Sequence, residues 1–171
     1  MAIRKIVLMG DPVLRREADP VDAFDEELQA LVGDMFETMY HADGVGLAAP
    51  QVGISRRILV VDVRDDEDPD GGRWALVNPT VEWASDQVEK SIEGCLSIPG
   101  LEEIVSRPAE VEIRGFDPAG AQVSIPATGL LARALQHEID HLDGVLFLDR
   151  VSALKRRMLL KKWKKLQDEG D

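Results

Sequence analysis

The sequence predicts an α+β fold: one domain over residues 1–171, with mainly antiparallel or mixed strands around a central helix that carries a histidine pair, and a further helix at the C-terminus. Three observations predict it. Helical stretches near residues 24–39 and 128–141 enclose a run of short strand-like pieces with no regular βαβ alternation. A last helical stretch begins at Ser152. The 171 residues, 44% hydrophobic and 30% charged, suffice for one core without disulfide staples, and no linker or internal repeat divides them.

The N-terminal "MAIRKIVLMGDPVL" is expected to form a first strand of a mature cytoplasmic protein. Its short apolar run meets Asp11 and Pro12 before any cleavage-like segment. From Phe24, the residues Leu28, Leu31, Val32, Met35, Phe36 and Met39 recur at helical spacing, led by acidic residues and followed by Gly44. "RILVVDV" (57–63) reads as a buried strand and "DDEDPDGG" (65–72) as an exposed turn. Strand-like pieces follow near 74–78, 80–83, 101–106 and 110–116, and another where Ala121, Val123 and Ile125 alternate with polar residues. Thr128 to His141 is a mostly apolar helix with Gly144 beyond its end.

Two motif-like stretches fail on context. Asp66, Asp68 and Asp70 with Gly71 resemble half a calcium loop, but Val77 stands where the bidentate glutamate belongs. "GVGLAA" (44–49) has dinucleotide-loop glycines, but a helix precedes it where a strand is required.

Charge is unevenly placed. The whole chain carries −12, yet residues 151–171 hold 7 basic and 3 acidic side chains against 13 and 29 in residues 1–150. The acidic body argues against broad nucleic-acid binding, so no DNA partner is expected. The terminal helix carries Leu154, Met158, Leu159, Trp163 and Leu166 among its basic residues. No stretch approaches the ~20 apolar residues of a membrane span, so no membrane partner is expected either.

"HEIDH" (137–141) places two imidazoles one helical turn apart, with Glu138 beside them. Polar groups at the end of an apolar helix are costly to bury unpaired, which calls for a partner such as a metal ion. A catalytic site wants three protein ligands and one open position. The lone Cys95 excludes an internal disulfide and remains open as buried filler, metal ligand or reactive thiol.

"GVGLAAPQVG" (44–53), "EGCLSIPG" (93–100) and "QHEIDHLDG" (136–144) resemble, in order and spacing, the three signature motifs of the peptide deformylases. The resemblance extends over nearly the whole chain. It implies an α+β fold and hydrolytic removal of the N-formyl group from the initiator methionine of nascent polypeptides. It also implies one divalent metal ion per chain, natively Fe2+, with Zn2+, Ni2+ or Co2+ in preparations. By the same resemblance Cys95, His137 and His141 are the metal ligands and Glu138 carries protons. Gln51 and the Leu96 N–H are the oxyanion donors, and Gly46 contacts substrate through its backbone. The peptide would lie as an added strand beside the glycine loop and Gly94. Val45, Leu130 and the stem of Arg133 would receive the methionine side chain, and the basic C-terminal helix would dock on the ribosome. The chain departs from relatives that carry an arginine where "GLEEIVSR" has Glu102 and Glu103, and Arg133 stands where some have an aliphatic residue. Two other readings of the histidine pair are a metallopeptidase, with its third ligand downstream, and a noncatalytic metal module with four protein ligands.

Overall fold

The computed structural model describes residues 2–64 and 72–169. Its helices are α1 (Glu26–His41), α2 (Gly129–Leu142) and α3 (Ala153–Glu169). Its strands are β1 (Gly46–Ala48), β2 (Ile58–Asp62), β3 (Arg73–Ala84), β4 (Val88–Gly94), β5 (Glu102–Pro108), β6 (Glu110–Phe116) and β7 (Gln122–Thr128). One sheet has the order β1-β2-β3-β6-β7, β4 and β5 form a second, and every neighbouring pair is antiparallel. The expected α+β class is what is found.

The larger sheet separates two cores. On one face Leu59, Val61, Leu76, Val111 and Ile113 pack with Ala132, Leu135, Ile139 and Leu142 of α2. On the other, Ile58, Val60 and Val77 pack with Leu28, Met35 and Met39 of α1. Alternate residues of β2 thus face opposite helices. A strand buried on both sides reads as a continuous apolar run, hence "ILVV". α1 begins where the Asp25 carboxylate accepts from Leu28 N–H at 3.0 Å, with Glu26 and Glu27 in its first turn.

A third cluster docks α3. Leu159 and Trp163, one turn apart, are buried with Ile98, Leu101, Val105 and Phe147. Leu154 and Met158, expected in the same stripe, are more than half exposed at 62% and 63%. Three to four residues per turn carry them round to the outer face. Among the described residues no helix is long and apolar enough to cross a membrane.

Several expectations need correction. The N-terminal segment is extended but forms no strand, because it crosses two irregular loops and bonds once to each: Val7 N–H to Gln51 O and Met9 N–H to Ser97 O, both 2.8 Å. The pieces at 74–78 and 80–83 are one strand, β3, with a register shift between Val77 and Thr80. Asn78 there has φ 50° and its side-chain amide bonds both Val21 N–H and Val21 O. β4 was not expected at all. The turn expected at 65–72, with its calcium-like aspartates, lies outside the described residues except for Gly72.

α2 must stop abruptly for its last turn to serve the site. Gly144 takes φ +76°, and a Cβ there would stand 2.6 Å from Arg15 O. Gly144→Ala is therefore expected to lose about 1–3 kcal/mol of stability in urea unfolding; a midpoint equal to wild type would contradict this account of the stop.

Candidate active site

α2 is amphipathic in an unusual sense: its apolar residues face the sheet while its C-terminal turns, still buried, present polar groups to the β4–β5 side. His137, Glu138 and His141 are exposed by only 9%, 4% and 1%. One turn apart, the two imidazoles lie with ring centroids 5.0 Å apart. Cys95 sits in the turn after β4. The three side chains each offer one ligand atom, and these atoms lie within 4.8 Å of one another. Cys95 Sγ is 3.3 Å from His141 Nε2, close to what a single ion between them requires. Exposed His41, the only other histidine, is not in the group.

Glu93, one strand residue before Gly94, orients His137. Its carboxylate accepts from His137 Nδ1 at 3.0 Å, leaving His137 Nε2 for the centre. It also accepts from Arg107 Nε and Nη2 at 2.6 and 2.9 Å, and from Arg133 Nη1. Arg107 continues to Asp140 at 2.9 Å, which in turn takes two bonds from Arg150. Burial pushes Glu93 up, but the bonds from His137 and Arg107 outweigh it and hold its carboxyl at about 2.

The two histidines are electrostatically unlike. Burial depresses both; for His137 the negative charge of Glu138 and the bonds to Cys95 and Glu93 reverse the effect and raise it well above its ordinary value. His141 is held well below its ordinary value, by burial first and then by its neighbours His137 and Arg107. So the pocket favours positive charge at its centre and offers a neutral nitrogen and a sulfur beside it. That donor set fits a divalent cation.

Glu138 is not in the donor group. Burial raises its carboxyl to about 7, and its Oε1 is buried without a hydrogen-bond partner. Gly46 makes room for it: a Cβ there would stand 2.5 Å from Glu138 Oε2. The glycine expected to meet substrate thus also lets β1 approach the acid. The Gln51 carbonyl accepts from Ala48 N–H at 2.9 Å, which fixes its orientation. Its amide then points at Ser97 Oγ, 3.2 Å, and Cys95 Sγ, 3.5 Å. The Leu96 N–H makes no hydrogen bond among the described residues.

A cleft of about 620 Å³ opens over these groups. Of the residues singled out from sequence, Val45, Gly46, Gln51, Gly94, Cys95, Leu96, Leu130, Arg133, His137 and Glu138 all line it, and His141 lies behind in the donor group. Val45 and Leu130 are about half exposed at 46% and 56%. The guanidinium of Arg133 turns to Glu93, Val105 O and Glu89 O. Sequence reasoning missed Glu93, Ser97, Arg107 and Asp140. The available signal was a set of charged residues in segments otherwise destined for burial, Glu93 lying inside a motif already singled out.

Three donors beneath an open cleft do not make a closed four-ligand module, and the third donor lies upstream of the histidines, unlike that of the metallopeptidases considered. The family model for polypeptide deformylase matches residues 3–157. The peptide deformylase of Natranaerobius thermophilus is 50% identical over 91% of this chain and 97% of its own. That of Acidobacterium capsulatum is 48% identical over 100% and 99%. Among solved structures, a peptide deformylase from Legionella pneumophila superposes with a TM-score of 0.89 at 44% identity, covering 99% of this chain and 98% of its own. The Ehrlichia chaffeensis enzyme in complex with actinonin gives 0.90 at 40% identity, covering 96% and 98%. The chain belongs to the polypeptide deformylase family.

Proposed function

We propose that this chain is a single catalytic domain that hydrolyses the N-formyl group of nascent peptides beginning with formylmethionine, releasing formate. The observation that carries the reading is the donor group of Cys95, His137 and His141 with Glu138 beside it, buried and without a partner on one oxygen. Cys95, His137 and His141 would hold one divalent ion, ferrous iron natively and zinc, nickel or cobalt in preparations. Such an ion supplies Lewis acidity, lowering the pKa of water toward ~7 and polarising a carbonyl.

The chain's own groups do the rest. Glu138 takes a proton from the attacking water onto its carboxylate and gives one to the leaving amine nitrogen. A carboxyl tuned near 7 can do both near neutral pH. As the formyl oxygen becomes anionic, Gln51 Nε2 and the Leu96 N–H donate to it. The Ala48 N–H fixes the Gln51 carbonyl and so turns its amide toward Cys95 Sγ and Ser97 Oγ, a preset orientation that supports this role. Val45, Leu130 and Arg133 line the end of the cleft that receives methionine, and the peptide adds to the Gly94 edge as a strand.

Location follows substrate, so the proposed compartment is the cytoplasm and the proposed partner the ribosome. On α3, Met158, Lys161, Lys162, Lys164, Lys165 and Asp168 line a shallow outer groove, and a predominantly basic face of this kind suits a phosphate-rich surface. Without such a surface the lysines are simply solvated.

Two outcomes test these roles. Glu138→Gln, loaded with metal to wild-type content, is expected to lose about a hundred- to ten-thousand-fold in formate release from a formylmethionyl peptide; ordinary turnover would sink the mechanism. Charge reversal at Lys161, Lys164 and Lys165 is expected to weaken ribosome co-sedimentation at low salt and flatten its salt dependence. Unchanged co-sedimentation, or none by the wild type, would reduce α3 to a packed C-terminus.

A further inference from the structure

The extended N-terminal segment is bonded to both loops that carry the oxyanion donors. Val7 N–H donates to the backbone carbonyl of Gln51 and Met9 N–H to that of Ser97, the residue after Leu96, both at 2.8 Å. In an extended chain, N–H groups two residues apart point the same way, about 6.6 Å from each other. Val7 and Met9 therefore present one edge to both loops and fix the span between them. The edge is itself anchored at both ends. Upstream, Ala2 N–H and Arg4 N–H donate to Asp34 at 2.7 Å and to Thr38 Oγ1 at 2.8 Å, both on α1. Downstream, a turn is closed by Asp11 N–H on Leu8 O at 3.1 Å, with Gly10 at φ 111°.

The two loops are also joined to each other. Ser97 is wholly buried, and its Oγ accepts from Gln51 Nε2 at 3.2 Å. An amide nitrogen has two hydrogens, so this bond leaves the second on the Cys95 side, toward the cleft. Leu96 and Ser97 form the middle of a turn closed by Ile98 N–H on Cys95 O at 3.0 Å, which leaves the Leu96 N–H unused. Three hydrogen bonds and the chain from Val7 to Met9 thus close a ring through both loops: Val7 to Gln51, Gln51 to Ser97, and Met9 to Ser97. Val7, Met9 and Ser97 stand behind the cleft and do not line it.

We propose that Val7, Met9 and Ser97 are positioning residues that hold the Gln51 amide and the Leu96 N–H at a fixed separation, so that both reach one developing oxyanion. The proposal rests on the deformylase reading above. The ring acts through the two donors and on the anionic state, so it is felt in turnover and not in capture of the neutral substrate. Removing one donor of this kind costs about a hundred- to a thousandfold in kcat. Displacing a donor that is still present costs less.

The test breaks the ring at two places. Met9→Pro removes one N–H, and the position suits proline, being second in a turn whose third residue, Gly10, has positive φ. Ser97→Ala removes the side-chain link. Lys5→Pro puts the same ring into the same segment where the N–H has no partner among the described residues. All are loaded with metal to wild-type content, and unfolding is recorded on the same samples. On formyl-Met-Ala-Ser, Met9→Pro and Ser97→Ala are each expected to lose about ten- to a hundredfold in kcat with KM within about threefold of wild type, while Lys5→Pro keeps its kcat. The double variant should lose much less than the product of the two losses, since both act on one ring. Inhibition by a peptide carrying a tetrahedral, anionic H-phosphonate in place of the formyl amide should weaken by the same factor as kcat, with binding of the unformylated product peptide unchanged. Wild-type kcat in either folded single variant, a loss carried by KM, an equal loss in Lys5→Pro, independent losses in the double variant, or analogue binding that does not follow kcat would each overturn the proposal. Should Met9→Pro not fold, Ser97→Ala decides by the same kcat, KM and analogue criteria. Failure of the wild type to release formate would instead overturn the deformylase reading, and the positioning role with it.

Discussion

The buried carboxylate of Glu93 accepts from Arg107, Arg133 and His137 at once, and thereby ties β4 to β5 and both to α2. Cys95 lies two residues beyond it in the chain, so the same contact that turns His137 also sets where the sulfur stands relative to the helix. Buried ion pairs of this kind add little net stability when complete, because desolvation offsets their attraction. Removing one member leaves an uncompensated charge and costs about 3–5 kcal/mol. The network is thus a register device: it makes one arrangement of β4, β5 and α2 far better than its neighbours. Arg107, by reaching Asp140 as well, extends the same constraint along α2.

α2 meets two demands that pull against each other. Its apolar side completes the core under the larger sheet, while its last turns bury Glu138 with an unpartnered oxygen and His141 with an unpartnered Nδ1. Groups left this way cost stability, and such costs are tolerated where chemistry needs them. The surrounding structure supplies the compensation. Gly46 brings β1 against Glu138, and Gly144 ends the helix against Arg15. Gln51 is fixed by a backbone donor rather than by solvent.

Much of this was legible in the residues. Period-two and helical patterns located α1, β2, β6, β7, α2 and α3, because each buries one or two regular faces. The three motifs brought the donors, Glu138 and Gln51 into view. β4 was not legible, since "VEKSIEG" is exposed at every position except Glu93 and so shows no apolar alternation. Nor was the clamp, because it exists only through the pairing of β4 with β5, and register between two polar strands leaves no trace in composition. The N-terminal segment misled in the opposite sense. Its apolar residues suggest a strand, but its neighbours are side chains of α1, the 3-10 turn at Gln51 and the loop at Ser97, which offer single bonds rather than a ladder.

If the clamp sets the donor geometry, loosening it must weaken the hold on the ion even though no donor is altered. The direct measurement is metal affinity of Glu93→Gln against wild type by chelator competition, with unfolding recorded on the same samples to confirm that the compared protein is folded. The account predicts affinity lower by about ten- to a hundredfold, the usual effect of losing a partner behind a ligand histidine. A folded Glu93→Gln protein that binds the ion as tightly as wild type would contradict it.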